Sequence, residues 1–79
     1  MDIKEKIIDL LADKLSFEKS EIDENQNFVE DLGADSLDMV EIVMGVEEAF
    51  NLKIADEDIV GVKTVKDLIE KVKEMMGEK

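Results

Sequence analysis

The chain has 79 residues, with 22 acidic side chains against 10 lysines and a net charge of −12. That charge repels nucleic acid and anionic membrane surfaces, both of which need basic patches, and points to partners that present Lys and Arg. With no histidine and no cysteine, Ser-His and Cys-His nucleophiles, disulfides and imidazole or thiolate metal sites are excluded, so chemistry must be imported and stability must come from helix packing.

Residues 1–79 are expected to form one small domain. The start Met1-Asp2-Ile3-Lys4-Glu5 has neither the basic region of a secretion signal nor a long apolar run. A cytoplasmic protein without a membrane span is therefore expected. Asp2 and Glu5 make a capping-box-like start, and Ile3, Ile7, Leu10, Leu11 and Leu15 recur at helical spacing. They predict a first helix from Ile3 to Leu15.

Residues 16–35 are rich in Ser, Asp, Asn and Gln. A connection this long in a small domain is either functional or anchored. Phe17, Ile22, Phe28 and Leu32 are the expected anchors across the helix ends, with a short turn from Ser20 to Asp23. Asp23-Glu24-Asn25-Gln26-Asn27 begins like a calcium loop, but Phe28 occupies the sixth position and Ala34 the twelfth. A glycine and a bidentate glutamate are needed there, so no metal site is predicted.

A second helix is predicted from Ser36 to Phe50. Met39, Ile42, Val43, Val46 and Phe50 share a core face, while Leu37, Val40 and Met44 form a second apolar ridge. Glu41 and Glu48 project close to that ridge, with Asp38 and Glu47 flanking it. A greasy strip in an acidic field is either covered by the long loop or offered to a partner. Gly45 costs about 1 kcal/mol relative to alanine in mid-helix and permits a close approach by a neighbour. Asn51 to Ile54 close this helix, and acidic residues at Asp56, Glu57 and Asp58 suit the first turn of a short third one. Thr64 and Asp67 pair as a cap for a fourth helix from Val65 to Met76, stopped by Gly77. The fold class is all-α: a small four-helix bundle with a long loop between helices one and two and a short third helix.

At the junction of loop and second helix stands Asp35-Ser36. Taken alone, the pair reads as an N-cap. A hydroxyl at this place is also suited to carrying a phosphate, because the first helical amides lack internal partners and the dipole favours negative charge. The run Phe28-Val29-Glu30-Asp31-Leu32-Gly33-Ala34-Asp35-Ser36-Leu37-Asp38, followed by Val40-Glu41, resembles the acyl carrier protein family around its phosphopantetheine-bearing serine. The lengths before and after it suit the family's four-helix domain.

The resemblance implies that Ser36 bears 4′-phosphopantetheine, added by a phosphopantetheinyl transferase (holo-acyl-carrier-protein synthase). The arm would hold acyl groups as thioesters and present them to fatty-acid synthesis enzymes and acyltransferases with basic docking patches. It further implies a free-standing monomer of bacterial type, with no catalytic residues of its own. Its docking face would comprise Asp35, Leu37, Asp38, Val40, Glu41, Met44, Glu47 and Glu48. An acyl-chain pocket would lie among Val46, Ile54, Ile59, Val62 and Leu68, with Gly45 adding slack. Three residues depart from the family's habit: Gly45 where alanine is commoner, Ala55 where proline is frequent, and Lys53 within an acidic run. Two other readings stand beside this one: a carrier for polyketide, aminoacyl or other specialised chains, and an acidic helical interaction module without a prosthetic group.

Overall fold

The computed structural model describes residues 2–77 and contains four α-helices and no strand among them. Helix α1 (Ile3–Leu15) starts where the Asp2 carboxylate accepts the Glu5 amide at 3.3 Å, and ends at Ser16, whose left-handed backbone returns its amide to the Ala12 carbonyl. Helix α2 (Ser36–Phe50) closes in the same way at Asn51, with φ 55° and its amide on the Glu47 carbonyl. Helix α3 is a single turn (Asp56–Ile59), and α4 runs over Val65–Met75. The fourth helix thus stops one residue short of the predicted end, with Met76 as its cap and Gly77 at φ 83°.

Each long helix buries one stripe: Ile3, Ile7 and Leu11 from α1, Ile42, Val46 and Phe50 from α2, and Val65, Leu68, Ile69 and Val72 from α4. Helix α1 packs against both α2 and α4. Fully burying such a side chain contributes about 1.5–3 kcal/mol, so these stripes dominate the stability of the bundle. Phe28, at 1% exposure, brings the long loop into the same core together with Ile22 and Leu32. Phe17 is only half-buried. The turn expected from Ser20 to Asp23 lies earlier in the loop, as a 3-10 turn at Lys19–Glu21.

The loop also finishes the start of α4. The Val65 amide donates to the Gln26 carbonyl (3.0 Å) and the Lys66 amide to the Glu24 carbonyl (2.8 Å), so two amides with no partner inside the helix find one in the loop. Thr64 Oγ1 accepts the Asp67 amide, while the Asp67 carboxylate accepts the amides of Lys63 and Thr64, each at 3.1 Å. Those amides hold the Asp67 carboxyl below its ordinary pKa.

Gly45 meets α1. A Cβ built there would lie 2.9 Å from Leu10 Cδ1 and 3.3 Å from Lys14 Cε. The glycine therefore lets α1 side chains close over α2. It does not add slack to an acyl pocket, as the sequence had suggested, because its open side is already filled by Leu10.

Candidate functional site

The turn before α2 is built almost wholly from the loop's own polar groups. Asn27 Oδ1 accepts the amides of Val29 and Glu30 (2.9 and 3.0 Å), and the Asp31 carboxylate accepts the Asn27 amide at 2.7 Å. The Ala34 amide then reaches back to the Phe28 carbonyl at 2.9 Å. Gly33 supplies the left-handed residue, φ 70°, that this reversal needs. Phe28, Leu32 and Ala34 are buried, while Asp35, Ser36 and Leu37 emerge into solvent. The apolar residues of the motif fix its position and the polar ones are presented.

Asp35 is the N-cap of α2. Its carboxylate accepts the Asp38 amide (2.9 Å), and the Asp38 carboxylate accepts the Asp35 amide (3.1 Å). Ser36 is consequently the first helical residue and is released from capping. Its hydroxyl makes no hydrogen bond among the described residues, and neither do the amides of Ser36 and Leu37. An exposed, uncommitted hydroxyl beside two free amides at a positive helix end fits a phosphodiester.

Along α2, Leu37, Val40 and Met44 are 65%, 52% and 54% exposed. The long loop does not cover this ridge. Glu41 and Glu48 are exposed with it. Asp38 is half-buried in the capping box, and Glu47 is half-buried with its Oε2 accepting the Ile54 amide at 2.8 Å. Val29 and Val60, which the sequence did not single out, are exposed too, at 63% and 75%.

A cavity of about 420 Å³ opens between α2 and the segment that carries α3. Ile54, Ile59 and Val62 line it, as do Val40 and Met44 from the ridge, so the ridge and the cavity share a wall. Val46 and Leu68 do not line it. Both are sealed in the core, at 0% and 1% exposure, behind that wall. Met39 and Val43 line the cavity instead, together with Glu47, Ala55 and Asp56. Met39 and Val43 share the predicted core face with Ile42 and Val46, but both are only half-buried and border the opening.

Residues 5–72 match the family model described as a phosphopantetheine attachment site. Over 65 residues the chain is 51% identical to a relative named acyl carrier protein from Syntrophobacter fumaroxidans (strain DSM 10017 / MPOB), an alignment that covers 82% of this chain and 80% of the relative.

Proposed function

The chain belongs to the acyl carrier protein family, a carrier with covalent 4′-phosphopantetheine and not an enzyme, and from that premise we propose that Ser36 holds the arm and that its cargo is the growing chain of fatty-acid synthesis. When bound, the arm supplies a thiol that carries acyl groups as thioesters. The chain's own residues do the rest. Asp35 and Asp38 satisfy each other's amides, which leaves the Ser36 hydroxyl free to become the ester oxygen. The amides of Ser36 and Leu37, without a partner among the described residues, leave two donors at this helix end for a phosphate.

The single observation that carries this reading is that uncommitted hydroxyl at the first residue of α2. Ser16 and Ser20 also lie exposed, but neither begins an α-helix of any length. Incubation of wild type, Ser36→Ala and Ser16→Ala with a phosphopantetheinyl transferase and coenzyme A should give a mass adduct on the first and third only. An adduct on Ser36→Ala would overturn the assignment.

Docking is ascribed to Asp35, Leu37, Asp38, Val40, Glu41, Met44 and Glu48, supported by the exposed apolar ridge within an acidic field. Partners are the transferase, the synthesis enzymes and acyltransferases, each bringing a basic patch that speeds encounter and is screened by salt. Shelter for the chain is ascribed to the cavity walled by Met39, Val43, Ile54, Ile59 and Val62. The protein works as a monomeric, cytoplasmic single domain. No helix among the described residues is long and apolar enough to cross a membrane.

A further inference from the structure

We propose that Glu47 is the latch of the cavity: its carboxylate holds the α2–α3 connection against α2 and so keeps the wall formed by Ile54 in place. The proposal rests on the reading of the cavity as the shelter for the acyl chain.

One residue gathers most of this connection. The Glu47 carbonyl accepts the amides of Asn51 and Leu52, the latter at 3.0 Å, and its side chain reaches forward to the Ile54 amide at 2.8 Å. Ile54, at 8% exposure, presents its side chain to the cavity immediately before α3 begins. Helix α3 itself rests on the core through the half-buried Ile59. It is one turn long, none of its residues is buried, and its start is fixed locally by the Ala55 amide on the Asp58 carboxylate (3.1 Å). Among the described residues, the bond from Ile54 to Glu47 is therefore the side-chain tie between α2 and the α3 side of the cavity. A bond of an amide to a carboxylate is roughly twice as strong as a neutral one, and here it is partly shielded from water. Glu47 thus differs from Glu41 and Glu48, whose carboxylates hold no hydrogen bond among the described residues. Its carboxylate is spent on the fold of the cavity mouth rather than displayed for docking.

Length and charge separate cleanly at this position. Glutamine keeps the reach and an acceptor oxygen but loses the charge, whereas aspartate keeps the charge but is one methylene too short. The experiment compares wild type with Glu47→Ala, Glu47→Asp and Glu47→Gln, using Glu70→Ala, an exposed carboxylate on α4, as control. Two quantities are read in the full chain: the hydrogen-exchange rate of the Ile54 amide in the unmodified protein, and the hydroxylamine cleavage rate of an octanoyl thioester on the arm. Ala and Asp should speed both about tenfold or more, the loss expected for one charge-assisted bond. Gln should stay within about threefold of wild type, and Glu70→Ala should change neither.

Exchange at the Val46 amide, on the sealed side of α2, separates local release from general unfolding and should not change. The proposal is overturned if Asp behaves like wild type, if Gln behaves like Ala, or if Ile54 and Val46 accelerate together. A wild-type thioester cleaved as fast as free octanoyl-pantetheine would remove the shelter reading instead. The Ile54 exchange rates would then still decide whether the latch exists.

Discussion

Gly45→Ala should fail to stabilise this protein, although it places a better helix former in the middle of α2. On propensity alone the change gains about 1 kcal/mol. The added methyl, however, falls 2.9 Å from Leu10 Cδ1 and 3.3 Å from Lys14 Cε. Lys14 is exposed and can swing away, but Leu10 is half-buried against the core and must turn or push α1 outward. Overpacking of this kind costs about 1–3 kcal/mol. The two effects together leave Gly45→Ala between neutral and about 2 kcal/mol less stable than wild type. Removing the obstacle should reverse the sign: in a Leu10→Ala background, Gly45→Ala should gain the full 1 kcal/mol or so. Urea denaturation of the four proteins reads the coupling, which should be about 1–3 kcal/mol. A Gly45→Ala protein that is about 1 kcal/mol more stable than wild type, with effects additive to within about 0.5 kcal/mol, would refute the reasoning.

Other outcomes follow from the same geometry. The urea midpoint of the arm-bearing protein should rise with the length of a saturated cargo and then level off, since each methylene moved out of water contributes about 0.8 kcal/mol. Ile59→Ala, which widens the cavity, should shift that plateau to longer chains while weakening the unloaded protein, and a midpoint independent of length would place the chain outside. Glu41→Lys with Glu48→Lys should slow transfer to a synthase and blunt its salt dependence without loss of helicity; unchanged transfer by the folded double variant would put docking elsewhere. Asp67 makes a contribution that depends on acid. Its carboxyl is held below the ordinary value by the Lys63 and Thr64 amides, so its stabilisation is complete above the unfolded pKa of about 3.9 and is lost as pH falls through the lower folded value. Asp67→Asn should therefore be less stable than wild type near neutrality and converge on it in acid, as followed by thermal melts across pH; a constant gap would contradict the assigned cause.

The helices were legible because their signals are local. Apolar spacing marked the stripes of α1, α2 and α4, and the pairs Asp35 with Asp38 and Thr64 with Asp67 satisfy their amides inside four residues. Depth was not legible. Val46 and Ile42 share their face with Met39 and Val43, and periodicity cannot say which of these seals the core and which borders an opening. Val46 and Leu68, expected to wall the acyl chain, lie buried behind the lining of this cavity. The reach of Glu47 to an amide seven residues on is likewise a tertiary choice with no sequence period. Gly45 announced a close approach but not its direction, which depends on how α1 lies over α2.

The central claim, that this chain bears fatty-acid cargo on Ser36, is tested most directly by mass spectrometry of the protein purified from its native cells. Fragmentation should place phosphopantetheine on Ser36 alone, and the intact masses should form a ladder of saturated acyl groups that differ by two-carbon units. Unmodified protein, an adduct on Ser16 or Ser20, or an arm loaded only with aminoacyl or polyketide groups would contradict it.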